Sequence, residues 1–219
     1  MAPGQPSESA RRSMMMKAAL FVVALSLSAC EGSGYSYISN ASTKTYFKVP
    51  EEWELFERNE MMSGESPAIS LQSLQGAADL WVVAFDAAPS PDLDNVLATS
   101  SQHPTGYALV RPLTEQERDT YSLASLRNEV VPLDRLKKAE GQVEPISEEA
   151  IELESGAHGS RLVNNIEVEG DVFTLDQTGL VDSGTHRVYV LVIGCRAACY
   201  EANKAVIDQV ADSWTIEES

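Results

Sequence analysis

Basic residues are scarce in this chain: sixteen lysines and arginines stand against thirty-three aspartates and glutamates, a formal net charge of −17. A negative field of that size repels polyanions and excludes nucleic acid as a partner. Long apolar runs are missing too, since none reaches the roughly 18–20 residues needed to span a bilayer as a helix. Histidine occurs three times, at His103, His158 and His186, in no metal-ligating spacing. No Gly-x-Ser-x-Gly elbow, P-loop or dinucleotide fingerprint is present, so no catalytic residue, cofactor or metal ligand is marked by a motif. Cysteine is limited to Cys30, Cys195 and Cys199. What is there, 219 residues of which 43% are hydrophobic, suits one globular domain with appendages and argues against wholesale disorder.

The first thirty residues carry the most specific signal. Arg11, Arg12 and Lys17 precede a short apolar core at 18–27, followed by Leu27-Ser28-Ala29-Cys30 and a loose polar stretch. A basic start, a short apolar core and small residues before a cut form the pattern of a secretory signal peptide. A buried core helix, the other reading of a short apolar run, leaves the flanking residues without a reason. Leu27-Ser28-Ala29-Cys30 resembles the lipobox of bacterial lipoproteins. That resemblance implies cleavage between Ala29 and Cys30 and transfer of a diacylglyceryl group to the Cys30 thiol, a good nucleophile once deprotonated. Acyl chains such as palmitate each hold by about 0.8 kcal/mol per buried methylene, and two or more make a stable anchor. Translation begins at Met1 or at one of Met14, Met15 and Met16, and either start leaves Cys30 in place.

The expected organisation is therefore a signal peptide at 1–29, a lipidated cysteine and flexible tether at 30–45, and a single acidic domain at 46–219. Residues 1–30 contain three basic residues and one acidic one, so the processed chain carries 13 against 32, a net of −19. An anionic bilayer surface repels such a domain. The expectation is attachment through lipid alone, with the domain held off on a Ser-, Gly-, Asn- and Thr-rich leash in which Tyr35 and Tyr37 are decoration.

Beyond the leash, hydrophobic periodicity predicts strands at 46–49 and 53–57 around a Pro50-Glu51-Glu52 turn, then at 68–74 and 80–85. Helices are expected at 91–99, capped by Ser90, and from Thr114 to about Asn128. The second opens with a Thr114–Glu117 capping box and should bury Tyr121, Leu123, Ala124 and Leu126 in part. Residues 129–147 read as irregular. Strands follow at 150–154, 162–168, 172–181 and 186–193, the last pair joined by a turn in which Gly184 supplies positive φ. The alternation in 188–193 is apolar on both sides, so this strand should be covered on both faces. A closing helix at 200–214 carries a buried stripe of Ala205, Val206, Val210 and Trp214.

This order implies an α+β fold. The segments Thr45–Phe56, Val188–Cys195 and Ala211–Ile216 resemble the PsbP-like family, which includes photosystem extrinsic subunits and surface lipoproteins of actinobacteria. The resemblance implies an antiparallel sheet of about six strands with helices packed on both faces, and no shared chemistry.

Cys195 and Cys199 sit in Cys-Arg-Ala-Ala-Cys. An exported chain with two nearby thiols pairs them in a structural disulfide; free thiols and a redox or metal role are the other readings. The three-residue spacer differs from that of thioredoxin-type motifs, and zinc would need two further ligands. Asp92, Asp94 and Asn95 mimic the start of a calcium loop without its glycine and terminal glutamate, and read as solvated surface. Arg161 and Arg187 read as surface ion-pair members and His186 as an exposed strand start.

Three functions are compatible with these features. The first is a non-catalytic binding or assembly module, lipid-anchored on the extracytoplasmic face of the cell membrane, whose partner is a basic patch on an envelope protein, a transporter or another envelope component. The second is a carrier of a lipid or small apolar ligand. The third is an envelope hydrolase built on carboxylates that no motif marks.

Overall fold

The computed structural model describes residues 34–63, 79–130, 143–168 and 170–217. The leader, Ala29, Cys30 and the expected strand at 68–74 lie outside the described residues. Two antiparallel sheets form the domain. Strands β1 (Tyr35–Asn40), β2 (Thr45–Pro50) and β10 (Thr215–Ile216) make a small sheet in the order β1-β2-β10. The large sheet has β3 (Glu54–Glu57), β4 (Trp81–Asp86), β5 (Thr105–Pro112), β6 (Val143–Glu152), β7 (His158–Val168), β8 (Asp171–Val181) and β9 (Arg187–Arg196), in the order β3-β4-β5-β9-β8-β7-β6. The helices among the described residues are α1 (Arg58–Ser63), α2 (Glu115–Arg118), α3 (Leu123–Arg127) and α4 (Ala197–Asp212).

Period-two alternation explains why the large sheet is covered twice. Tyr189, Leu191 and Ile193 of β9 join Val83, Phe85, Ala108 and Val110 under α4 and the small sheet. Val192 joins Val82, Ala84, Tyr107 and Leu109 with Met61 of α1 on the opposite face, while Val188 and Val190 meet Leu126 of α3 there. The expected two-sided burial of this strand is what the structure shows. Each buried Val, Leu, Ile or Phe contributes about 1.5–3 kcal/mol.

The small sheet is pinned by aromatic contacts. Phe47 lies 6.4 Å from both Phe85 and Trp214, centroid to centroid, and Trp53 stacks on Phe85 at 5.5 Å. The Trp214 indole N–H donates to Thr45 Oγ1 at 2.6 Å, so the polar edge of the ring is satisfied inside the core.

Several expectations are corrected. Ordered structure begins within the segment read as tether: β1 buries Ile38 beside Phe47, and the tyrosines that looked decorative favour the strand. The expected helix at 91–99 is only a 3-10 turn, Leu93–Asn95, capped by Asp92 rather than Ser90. Leu97 there has φ 56°, which ends any helix. The helix expected from Thr114 to Asn128 is two: the Thr114–Glu117 box opens α2, and a second box of Ser122 and Ser125 starts α3 afresh. Of the four residues expected to be buried in part, Leu126 is fully buried and Tyr121 half-buried, whereas Leu123 and Ala124 are exposed. Strand β6 starts at Val143, inside the stretch read as irregular.

In the β8–β9 connection the positive φ belongs to Thr185, not Gly184, because Asp182 Oδ1 accepts the amides of His186 and Arg187 and shapes a longer loop than a two-residue turn. Helix α4 spans Ala197–Asp212 and buries Cys199, Tyr200, Ile207, Val210 and Ala211, whereas Ala205 is exposed and Trp214 lies beyond the helix end. Among the described residues the large sheet has seven strands, in line with the about six expected, and the small sheet adds three.

Candidate functional site

Two charged networks flank the large sheet, one on each face. On the α4 side, Arg161 of β7 grips Asp176 of β8 through two parallel bonds, Nε to Oδ1 at 2.9 Å and Nη2 to Oδ2 at 2.6 Å. Arg161 Nη2 also reaches Asp208 Oδ1 at 2.7 Å, and Nη1 reaches Asp212 Oδ1 at 3.3 Å. The Tyr200 hydroxyl donates to Asp176 Oδ2 at 2.8 Å, and Lys204 Nζ to Asp208 Oδ2 at 2.7 Å. Tyr200, Lys204, Asp208 and Asp212 recur every four residues, so they form one line along α4. That line is the sequence signal of this network, overshadowed by the apolar stripe beside it.

The electrostatics follow from the geometry. Burial opposes the Arg161 charge, but the bonds to Asp176 and Asp208 outweigh it and raise its pKa. Burial and then the Asp176 charge raise the pKa of Tyr200. Burial pushes the Asp208 carboxyl up, but the bonds from Lys204 and Arg161 win and leave it lowered. Arg161 was expected at the surface; instead its side chain is 11% exposed, because α4 lies across it. This is a latch between helix and sheet rather than an anion clamp, since aspartates already occupy the guanidinium.

On the α3 side, Arg111 of β5 donates from Nε to Glu129 Oε1 at 2.6 Å and from Nη1 to Glu117 Oε1 at 3.0 Å, while the Tyr121 hydroxyl donates to Glu129 Oε2 at 2.9 Å. Burial, then Glu129, raises the pKa of both Tyr107 and Tyr121. On the same face Gln177 of β8 is 1% exposed; its Nε2 donates to the Leu126 carbonyl at 3.1 Å, and its Oε1 has no hydrogen-bond partner.

The predicted disulfide is present. Cys195 near the end of β9 bonds Cys199 in the first turn of α4, with Cα atoms 5.9 Å apart. Both are buried, which suits a brace at the strand–helix junction. His103, His158 and His186 are exposed and on separate loops or strand starts. Asp92 caps the 3-10 turn, and Asn95 donates to Asp86 Oδ2 at 2.7 Å. Asp86, fully buried, also accepts the amides of Ala88 and Asp92 and so organises the loop. Its signal in the sequence was an aspartate closing an apolar strand ahead of a Pro-rich loop. Arg187 is exposed at the start of β9.

An acidic, exposed surface lies on β6, the last strand in the large-sheet order of the described residues. Every residue from Glu144 to Ala150 is exposed. Glu149 stands opposite Arg161 and so lies on the α4 face, whereas Glu148 faces α3 and pairs with Arg127 at 3.3 Å. Glutamates thus project from both sides of one edge strand.

The solution structure of cyanobacterial PsbP (CyanoP) from Synechocystis sp. PCC 6803 matches with a TM-score of 0.51 at 14% identity, covering 87% of this chain and 98% of that one. The fold is PsbP-like. LpqN of Mycobacterium tuberculosis, described as involved in cell envelope biogenesis, matches with a TM-score of 0.48 at 17% identity, covering 86% and 88%. No family model matches the sequence, and neither does any curated protein. The PsbP-like likeness bears out the expected α+β class and speaks for the fold alone. No helix among the described residues is long and apolar enough to cross a membrane.

Proposed function

We propose that this chain is a non-catalytic binding or assembly module of the cell envelope, anchored to the extracytoplasmic face of the membrane by lipid on Cys30. The observation that carries the binding role is the exposed, glutamate-bearing edge of β6. An edge strand presents unpaired backbone donors and acceptors to any strand that approaches. Glu144, Glu148, Glu149 and Glu152 repel a second copy of the same edge. They attract a basic one, and charge complementarity of this kind raises the rate and specificity of association. The partner that fits is a basic envelope protein offering an extended segment.

The test uses the lipidated protein crosslinked in its own membranes and recovered by affinity. A stoichiometric basic envelope protein, released by salt and lost in a Glu148→Lys, Glu149→Lys variant, is the expected result. Recovery that ignores both salt and charge reversal refutes it. The anchor is tested separately: Cys30→Ala should leave the membrane fraction, and its retention there would remove the lipidation reading.

One observation favours a second reading, carriage of a small apolar ligand. Gln177 stands opposite Leu162 and Val192 in the sheet register, and its buried Oε1 lacks a partner that a ligand carrying one hydrogen-bond donor would supply. Native mass spectrometry of the purified protein tests it, with a bound species lost in Gln177→Leu as the expected outcome.

A further inference from the structure

The strand at Tyr35–Asn40 turns the expected leash into a short spacer. Only residues 31–34 separate Cys30 from β1. Gly34 is already tied to the domain, its carbonyl accepting the Glu51 amide at 3.0 Å. Four residue steps from Cys30 to Gly34 span at most about 14 Å when fully extended. A lipid on Cys30 therefore brings the start of β1 to the membrane surface whatever path those residues take.

The surface presented there is aromatic. In the β1–β2 register, Ile38 and Phe47 face the core, so Tyr35, Tyr37, Tyr46 and Lys48 share the outer face. Tyr37 is 71% exposed, the most among the large apolar side chains described, and Tyr46 is 39% exposed. Tyr46 bonds Glu217 at 3.2 Å, Tyr35 bonds Gln209, and Lys48 Nζ lies 4.6 Å from the Tyr35 ring centroid. Tyrosine, with an apolar ring and a polar tip, is enriched where hydrocarbon meets water. Glu217 is the acidic group bonded on this face, through Tyr46, whereas the exposed glutamates of β6 lie at the other end of the large sheet: the small sheet packs on Phe85 of β4, near the β3 end, and β6 closes the opposite end.

We propose that the outer face of the small sheet, centred on Tyr37 and Tyr46, lies in the headgroup layer of the phospholipid membrane that holds the anchor. This inference rests on lipidation of Cys30. Contact comes from the short spacer and tyrosine partitioning rather than from charge, because Glu51 and Glu52 flank the anchored end and offset Lys48. The domain is thereby oriented, with β6 directed away from the bilayer toward a partner.

The experiment places a nitroxide on the full lipidated chain in phosphatidylcholine vesicles, at Tyr37→Cys or, as the aqueous reference, at Ile146→Cys on β6. Accessibility to a water-soluble nickel relaxant and to oxygen is then read by electron paramagnetic resonance. Intact mass and vesicle co-flotation report the anchor independently. The expected result is several-fold lower nickel accessibility at 37 than at 146, together with raised oxygen accessibility. Co-flotation with equal accessibility at both sites overturns the membrane face while the anchor stands. Dipolar broadening between labels at 37 means that a second copy covers the face, and overturns it too. A chain that fails to acquire lipid or to co-float refutes both readings. In a Tyr37→Ser, Tyr46→Ser variant labelled at Ser39→Cys, co-flotation should persist while the label regains nickel accessibility.

Discussion

Arg161 and Asp176 meet edge to edge on neighbouring strands, with Nε–Oδ1 at 2.9 Å and Nη2–Oδ2 at 2.6 Å, beneath a helix that contributes Asp208 to the same guanidinium. The pairing is possible because β7 and β8 place residues 161 and 178 opposite each other, so that 176 lies one same-face step along. Four α4 side chains close over it, and the helix is fastened to the sheet by charge at one end and by the Cys195–Cys199 bond at the other.

Removing one partner of that pair should be worse than removing both. Asp176→Ala leaves a buried guanidinium with less compensation and should cost about 3–5 kcal/mol in urea unfolding. A double Arg161→Met, Asp176→Leu variant should recover much of that loss. A single Asp176→Ala variant as stable as the parent would mean that the latch contributes nothing.

The pH dependence of stability should have two limbs. Asp208 and Glu117 have lowered pKa values in the fold. Their contribution is present above the unfolded carboxylate values near about 4 and is lost as pH falls through the folded ones. Tyr107, Tyr121 and Tyr200 are raised, so their contribution is complete below the unfolded value of about 10 and is lost as pH rises above it. Phenolate absorbance of these three should therefore appear together with loss of circular dichroism on the alkaline side. Ionisation of all the tyrosines with the fold intact would contradict the burial assigned to them.

The disulfide closes a small loop, so its contribution is modest. A Cys195→Ala, Cys199→Ala variant should lose about 2 kcal/mol and keep the fold, read by guanidinium unfolding with and without reductant on the parent. Failure to fold at all would show that the bond directs the chain rather than bracing it.

Leu126 occupies a notch made by two glycines on paired strands. A Cβ at Gly179 would stand 2.9 Å from Leu126 Cγ, whereas one at Gly159 would meet the Gly179 carbonyl oxygen at 2.0 Å. Leu126→Ala should cost about 2–5 kcal/mol. Gly179→Ala should be destabilising alone and rescued in part by Leu126→Ala, since the clash is with that side chain. Gly159→Ala should not be rescued, because backbone obstructs it. Equal rescue at both glycines would refute this packing.

Where side chains near in sequence carried the information, reading was direct. The alternation in Val188–Ile193, the Thr114–Glu117 box and the Cys195–Cys199 pairing needed no knowledge of distant partners. Leu93–Leu97 and Leu123–Ala124 misled because helical spacing of apolar residues was outweighed by a buried Asp86 drawing in loop amides and by Ser122 restarting the chain. Tyr35–Asn40 misled because serine, glycine and asparagine around it resemble a linker, and only pairing with β2 makes it a strand.

For the charged sites the division is the same. Composition alone determined that the domain is strongly acidic, and the first thirty residues alone determined the resemblance to a lipobox, because both depend only on which residues are present and in what local order. Tertiary structure decided that Arg161 is consumed by three aspartates, that the glutamates of β6 stand on an open edge, and that tyrosines near the anchor share one outer face. Those are relations between residues as many as 51 positions apart, from Arg161 to Asp212, and strand register and helix packing alone bring such residues within hydrogen-bonding range.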